Sequence, residues 1–428
     1  MTPRTDYSKA LKFMSQRSSS SRSSRESNIL RVFAPTFLTT HKKPELLKNL
    51  IDVHDVLQTI GQEPSDRPRG LQLIANQIVS VRLIGHADKD IRLLSACCAV
   101  DILRIYAPEA PYNDEELLRI FRVIVNQLRG LATNDITSGT GSKMYYILNS
   151  LSVVKSCVVL VSLTKNGVEG AEDLLIELFN ALISSIRTEH PTEIGTHMGS
   201  ILQALIEEMD AVEQDVLDLL LQPLFPQNKS ENTAAFVLCQ SVLRRTTASV
   251  EGAISNLVNQ HLMAWTDKSS KDSELHENIY SLIYELHKVS SSLLLRILPN
   301  ICSQLVVEDE AVRLRAVKLL GKLFASPHAE FGQQFTRNFR DYLGRVVDVS
   351  PSIRLEVLSS CAIIMQRKPA LRELTEESVV KKLRDIDGDV RLAALSSLLE
   401  VASEDPLGNI FDYYAQYARF IHIFTVYL

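Results

Sequence analysis

The six cysteines and ten histidines are the first residues to consider for chemistry, because thiolates and imidazoles are common nucleophiles and metal ligands. No CxxC, HExxH or HxH pattern occurs in the sequence. His190 and His197 are seven residues apart, but no carboxylate stands near them at ligand spacing. The cysteines lie in apolar helical stretches, where a thiol usually behaves as a small buried hydrophobic group. We therefore predict buried cysteines and no metal site.

Two glycine-containing segments resemble ligand-binding loops only superficially. Residues 138–143 (SGTGSK) lack the GxxxxGK[ST] spacing of a phosphate loop, so they are interpreted as a turn before a helix beginning at Met144. Residues 385–389 (DIDGD) carry glycine at the fourth position instead of the sixth, and Ser396 replaces the glutamate of a calcium loop. With no GxSxG or kinase motif either, we predict that the chain is not an enzyme and has no small-molecule substrate.

The composition of the 428 residues favours a soluble, intracellular, folded protein. Hydrophobic residues make up 45% and charged residues 23% of the chain, which is enough apolar material for a large core. No apolar stretch reaches the roughly 18 uncharged residues of a membrane helix, so we expect no membrane association. The first residues lack the apolar core of a secretory signal, and the cysteine pattern favours a reducing compartment.

The net charge of −5 is unevenly distributed. Residues 1–48 carry ten Lys or Arg against three acidic residues, a net charge of +7, so the remainder carries −12. Eight serines lie among the arginines of residues 15–27. We interpret residues 1–27 as a disordered basic Ser/Arg-rich arm, because such a segment cannot bury enough apolar surface to become ordered. The acidic remainder argues against extensive binding to duplex nucleic acid.

Four segments of the helical pattern align column by column. They begin at Ile91, Val312, Ile353 and Val390, and Arg-Leu follows each of these residues. Positions i, i+4, i+8 and i+11 lie on one face of a helix, so each segment predicts an amphipathic helix with the same buried stripe. The last three arginines are 41 and 37 residues apart, close to the period of helix-pair repeats, and this repeat signal is strong over residues 290–403.

Asp348 and Asp385 each stand six residues before a repeat arginine. This offset resembles the HEAT repeat, in which a turn aspartate and a helix arginine form a ladder between neighbours. The predicted fold is all-α, an α-solenoid of HEAT-like helix-pair repeats over residues 28–403. Residues 404–428 are aromatic-rich and depart from the repeat, so they are interpreted as an atypical C-terminal tail that reads as a truncated gene end.

One connection between helices is unusual because it contains two prolines three residues apart. The preceding helix must end before Pro108, and Asn113 with Glu116 predicts a capping box that begins the next helix. The segment is either a helix stop or a stiff, extended, polyproline-like surface that docks a partner's short motif with the tyrosine as anchor. Its residues are Ala107, Pro108, Glu109, Ala110, Pro111 and Tyr112.

Arg315, Lys318 and Lys322 form a second candidate site, since their spacing of i, i+3 and i+7 places them on one helix face. This face is either a solvated outer surface or a site for an acidic peptide or a polyanion.

Residues 86–112, HADKDIRLLSACCAVDILRIYAPEAPY, closely resemble the signature of the precocious-dissociation-of-sisters family of cohesin regulators. Weaker similarity occurs at residues 45–63, 243–246, 293–299 and 312–325. The resemblance implies the N-terminal part of a nuclear HEAT-repeat scaffold that binds the kleisin subunit of cohesin, acts on chromatin indirectly and controls sister-chromatid cohesion.

The resemblance also implies partners for the proline-containing segment. In the family, an Ala-Pro-Asp-Ala-Pro motif docks short motifs of Wapl, sororin or the cohesin acetyltransferase, and it matches residues 107–111, with Glu109 in place of the aspartate. Family members also bind inositol hexakisphosphate on a basic N-terminal surface. The residues of that surface are not assigned in this sequence. From the repeats alone, the alternative is a generic HEAT-repeat adaptor in nuclear transport or phosphatase assembly, without a role in cohesion.

Overall fold

A computed structural model describes residues 31–263, 274–327 and 329–404 of the chain. The basic arm of residues 1–27 and the aromatic-rich tail beyond residue 404 lie outside these residues. The described residues form twenty-one α-helices and several short 3-10 helices, and they contain no β-strand. The prediction of an all-α fold is confirmed.

The chain forms two compact units, which we name unit 1 (up to Asp210) and unit 2 (from Ala211). The α-helices of unit 1 are α1 Lys43–Leu57, α2 Leu71–Ile78, α3 Val81–Ile84, α4 Lys89–Tyr106, α5 Asp114–Arg129, α6 Gly139–Val154, α7 Val159–Lys165, α8 Ala171–Ser185 and α9 Thr192–Glu208. Those of unit 2 are α10 Gln214–Leu221, α11 Pro226–Glu231, α12 Thr233–Arg245, α13 Thr247–Met263, α14 Glu274–Val289, α15 Leu298–Ser303, α16 Glu310–Phe324, α17 Phe331–Gln334, α18 Thr336–Leu343, α19 Pro351–Arg367, α20 Pro369–Val380 and α21 Gly388–Glu404.

Helix α5 shows why these segments are helical. Asn113 accepts a hydrogen bond from the Glu116 backbone N–H at 2.9 Å, and the Glu116 carboxylate accepts one from the Asn113 N–H at 3.1 Å. This capping box, predicted from the sequence, satisfies two amides that the helix itself leaves unpaired. Three acidic residues in the first turn and Arg129 in the last complement the helix dipole. One face is buried, and fully burying each large apolar side chain on it contributes about 1.5–3 kcal/mol.

Helix α4 lies at the centre of unit 1 and packs against α1 on one side and α6 on the other. Almost every side chain from Ile91 to Ile105 is buried, so α4 is apolar on more than one face. Asp88 caps it, accepting hydrogen bonds from the N–H groups of Asp90 and Ile91.

The aligned segments are α4, α16, α19 and α21, and their predicted buried stripe is confirmed. The four stripe positions are at most 4% exposed in all four helices. In unit 2, α16 packs on α19 and α19 packs on α21, so equivalent helices are neighbours.

The repeat arginines link these helices as the resemblance to HEAT repeats implied. Arg313 donates to both carboxylate oxygens of Asp348, at 3.2 Å each, and Arg354 donates to Asp385 at 2.9 Å. Each aspartate also lies near a basic residue three positions before it, Arg345 at 3.5 Å and Lys382 at 3.1 Å respectively. The α-solenoid of HEAT-like repeats is therefore confirmed as the fold class.

No single helix in the described part of the chain is long and apolar enough to cross a membrane. Helix α6 and the helical segment Ser156–Lys165, which are bent by 77° relative to each other, satisfy the length and composition criteria only as a pair.

Candidate partner-binding site

Residues 107–112, which we name the proline loop, connect α4 to α5 in unit 1. Pro108 and Glu109 are exposed, and the other four residues are half-buried. The peptide bond between Ala107 and Pro108 is cis. Because Pro108 and Glu109 are exposed, this connection between two helices presents one proline ring and one carboxylate to solvent.

The expectation of an extended polyproline-like ridge is wrong. The chain turns at Ala107 and Pro108 and bends again at Glu109, Pro111 and Tyr112. It folds back because the side chain of Tyr112 is held against α2, where its hydroxyl donates to the Ala75 carbonyl at 3.4 Å. The position of this segment is therefore supported by contacts with its neighbours and not by an extended backbone.

Two sets of contacts, which we call braces, hold the proline loop against unit 1, and the first is at the end of α4. The Arg67 guanidinium donates to the Ile105 carbonyl at 3.1 Å and lies 4.5 Å from the centre of the Tyr106 ring. A cation at this position satisfies one of the carbonyls that a helix leaves unpaired at its C-terminus and complements the helix dipole. The Tyr106 hydroxyl in turn donates to Gln72 of α2 at 3.2 Å.

Tyr112 and the capping box of α5 form the second brace. Burial raises the pKa of Tyr112 well above its usual range, so its hydroxyl is protonated and available to donate to Ala75. Because that hydroxyl is engaged within unit 1, only the remaining exposed part of the ring is available to a partner. The role of Tyr112 as a partner's anchor stays a prediction.

The electrostatic surroundings of the proline loop are acidic on the α5 side. Glu109, Asp114 and Glu115 are exposed, and Glu116 is half-buried in the capping box. A surface with an exposed proline ring beside several carboxylates suits a short peptide that carries an apolar group and a basic group.

The structure places the second predicted site, Arg315, Lys318 and Lys322, on one side of α16 in unit 2. Lys318 lies 3.9 Å from the Glu356 carboxylate, and the Lys322 ammonium lies 5.7 Å from the centre of the Tyr284 ring. Arg315 is half-buried near Tyr280; burial raises the pKa of Tyr280 to about 12, and the charge of Arg315 acts in the opposite direction. Each of the three cations therefore has an intramolecular neighbour.

The other candidates for chemistry have structural roles. All six cysteines are free and buried, as predicted, and burial raises the pKa of Cys157 and of Cys361 to about 12. Within the described ranges, no group of three His, Cys, Asp or Glu side chains could hold a metal ion. His197 contacts the Ser152 hydroxyl at 2.6 Å, and burial lowers its pKa. The 385–389 segment is a repeat turn in which Asp387 caps α21.

Sequence reasoning missed two sets of residues. Arg67 and Gln72 brace the proline loop, but no local motif distinguishes them from other polar residues. A buried network in unit 1 joins His54 to Asp101 at 2.8 Å and Tyr146 to the other oxygen of the same carboxylate. These partners are 45 and 47 residues apart, so only the packing of α1, α4 and α6 brings them together.

The stacked helix pairs define a helical-repeat protein, a class in which the stacked repeats form extended surfaces. The family model described as "Sister chromatid cohesion protein PDS5 protein" matches residues 44–416, so the chain belongs to this family.

Individual relatives agree with this assignment. The chain is 33% identical over 367 residues to the human sister chromatid cohesion protein PDS5 homolog B, covering 85% of this chain and 25% of the relative. Homolog B-B of Xenopus laevis is also 33% identical over 367 residues, covering 85% of this chain and 24% of that protein. The chain thus spans about a quarter of the length of these relatives.

A solved structure, described as that of the Pds5–Scc1 complex, has the same fold. It matches with a TM-score of 0.70 and 24% sequence identity, covering 84% of this chain and 55% of that one.

Proposed function

We propose that the chain is a non-catalytic scaffold that regulates cohesin and sister-chromatid cohesion, and that the proline loop is the surface where it binds short motifs of partner proteins. The observation that carries the proposal is the bracing of this loop. Arg67 and Tyr112 fasten its two ends to the body of unit 1, whereas Pro108 and Glu109 stay exposed. A surface ordered before binding loses little conformational entropy when a peptide docks.

The proposed partners are supported by family membership and by the resemblance of residues 107–111 to the family's docking motif. We propose motifs of the Wapl, sororin and cohesin-acetyltransferase type as ligands of the proline loop, and action in the nucleus. The solved structure with the same fold is a complex of Pds5 with Scc1, which supports the proposal that this chain also binds the kleisin subunit of cohesin. Inositol hexakisphosphate remains an expectation from the resemblance.

The test is a fluorescence titration of the full chain with labelled Wapl- and sororin-type motif peptides. Glu109→Lys reverses an exposed charge in the middle of the proline loop, and we expect it to weaken binding by roughly tenfold or more because the peptide loses a direct charged contact. Glu207→Lys is the matched control: it makes the same charge change at an exposed position of α9, a helix that does not flank the proline loop. The control should bind within about twofold of the wild type.

A third variant, Tyr112→Phe, separates bracing from direct contact. It keeps the ring and removes only the hydroxyl that bonds to Ala75, so we expect a smaller loss of affinity than for Glu109→Lys. If the wild type shows no saturable binding, or if Glu109→Lys and Glu207→Lys bind equally well, the proline loop is a helix stop and the proposal is wrong. The generic HEAT-repeat adaptor would then be the better hypothesis.

A further inference from the structure

Three lysines from three helices of unit 2 surround one tyrosine and one carboxylate. Lys229 of α11 and Lys288 of α14 contact the same oxygen of Glu285, at 3.5 and 2.9 Å. The Lys288 ammonium lies 4.4 Å from the centre of the Tyr284 ring, and the Lys322 ammonium of α16 lies 5.7 Å from the same centre. We name these five residues the lysine–aromatic cluster.

The shared contacts limit the distances between the charges. Because Lys229 and Lys288 contact one oxygen at 3.5 and 2.9 Å, their ammonium groups are at most about 6.4 Å apart. Lys288 and Lys322 share the Tyr284 ring at 4.4 and 5.7 Å, so they are separated by no more than about 10 Å. The three cations, contributed by α11, α14 and α16, are therefore closely spaced, with Lys288 near both of the others, and we refer to them as the row.

The row carries more positive charge than its own carboxylate can balance. Of the three lysines, only Lys229 and Lys288 contact Glu285, whose side chain is 12% exposed. The side chains of Lys229 and Lys288 are 41% and 33% exposed, and Lys322 is also exposed. The aromatic contacts hold the lysine stems in place, since an ammonium over a ring face is attracted to it. Excess positive charge on accessible side chains favours an anionic partner.

We propose that the lysine–aromatic cluster binds an extended acidic peptide segment of a partner protein. An extended chain advances about 3.3 Å per residue and turns every second side chain to the same face, so acidic residues two positions apart can reach neighbouring lysines that are at most about 6.4 and 10 Å apart. The exposed part of the Tyr284 ring offers apolar contact to the peptide between its charges. This site lies in unit 2 and is independent of the proline loop in unit 1.

The position of Glu285 favours an acidic peptide over a compact polyphosphate. The Glu285 carboxylate lies within 3.5 Å of two of the three ammonium groups, so densely charged phosphates gathered at the cluster would lie beside a like charge. A peptide distributes its carboxylates along the row and can meet each lysine separately from the solvent side.

The experiment measures fluorescence polarisation of a labelled peptide of alternating glutamate and alanine, titrated with the full chain at low salt. The test variant carries Lys288→Gln and Lys322→Gln. The matched control carries Lys48→Gln and Lys381→Gln, which remove the same charge from exposed helical positions elsewhere. We expect saturable binding by the wild type, a loss of roughly tenfold in the test variant and a change within about twofold in the control.

Three results would overturn the proposal. The first is no saturable binding by the wild type, and the second is an equal loss of affinity in the test and control variants, which would reduce the effect to net charge. The third is displacement of the labelled peptide by inorganic tripolyphosphate at lower concentration than by the unlabelled peptide. That outcome would assign the lysine–aromatic cluster to a compact polyanion.

Discussion

At the scale of single residues, the pair formed by Arg313 and Asp348 shows how two neighbouring repeats are joined. Their side chains are only 9% and 3% exposed, so both charges are removed from water. Burying charges costs several kcal/mol unless the remaining hydrogen-bonding groups are satisfied. The Arg313 guanidinium also donates to the carbonyls of Val307 and Glu308, at 2.8 and 2.7 Å, which meets part of that requirement.

Removing the arginine should therefore be costly. Arg313→Ala leaves Asp348 buried without its main counterion, and we expect the free energy of unfolding to fall by about 3 kcal/mol. Arg391→Ala is the control, because Arg391 bonds to the carbonyls of Asp385 and Ile386 but is exposed, and we expect a loss below about 1 kcal/mol. Urea denaturation followed by circular dichroism measures both. Equal losses would show that the carbonyl contacts, and not the ion pair, stabilise the repeat.

The ionisation of Asp385, which belongs to the same ladder, makes the stability of the fold depend on pH. Burial opposes its ionisation, but hydrogen bonds from the Asp387 N–H, Lys382 and Arg354 lower its pKa below the usual value. Its contribution to stability is thus fully present above the unfolded carboxyl pKa of about 3.9 and disappears as the pH falls through the lower folded value. We expect Asp385→Asn to be destabilised at pH 7 and to lose less further stability on acidification than the wild type.

Urea midpoints measured at pH 7 and at successively lower pH test this prediction. Asp389→Asn, at an exposed position in the first turn of α21, is the control and should keep the wild-type acid dependence. If Asp385→Asn loses stability with acid as steeply as the wild type, then other carboxyl groups account for the acid dependence.

At the scale of elements, the start of α6 differs from the sequence prediction. The helix begins at Gly139 and not at Met144, because the Ser138 hydroxyl accepts a hydrogen bond from the Gly141 N–H at 2.9 Å and caps it. Glycine disfavours helices, but here the capping serine determines the first turn. Gly141 also lies directly against the Asp135 carbonyl, in a space that a side chain would fill.

Two glycines in this turn should respond oppositely to the same substitution. Gly139 has open space around it, so Gly139→Ala should stabilise the protein by up to about 1 kcal/mol through helix propensity. Gly141→Ala gains the same propensity but collides with the Asp135 carbonyl, and we expect a net loss of roughly 1–3 kcal/mol. Thermal unfolding of both variants measures the difference. Stabilisation by both would mean that the turn has room to relax.

Local rules predicted part of the candidate site. Pro108 predicted that α4 ends before it, and Asn113 with Glu116 predicted the capping box. Both signals act within a few residues of the chain, so they can be recognised from the sequence. The fold-back of the proline loop was not predictable in this way. It depends on Tyr112 reaching Ala75, 37 residues away, and on Arg67 reaching Ile105, 38 residues away.

At the scale of the whole molecule, one arrangement recurs in both units. Arg92 in unit 1 and Arg313, Arg354 and Arg391 in unit 2 each donate to the carbonyls five and six residues before them. This common turn explains why the four segments aligned in the sequence and why the fold class could be predicted. The helices between these segments lack the aligned arginine, so helical periodicity was the only sequence signal for repeats there.

The even distribution of the buried cysteines has a practical consequence. Unit 1 contains Cys97, Cys98 and Cys157, and unit 2 contains Cys239, Cys302 and Cys361. Since the thiolate is the reactive form and burial raises the pKa of these thiols, alkylating reagents modify them only when the surrounding helices open. The rate at which each thiol of the wild-type protein is alkylated, measured by mass spectrometry, therefore reports the rate of local opening in each unit separately.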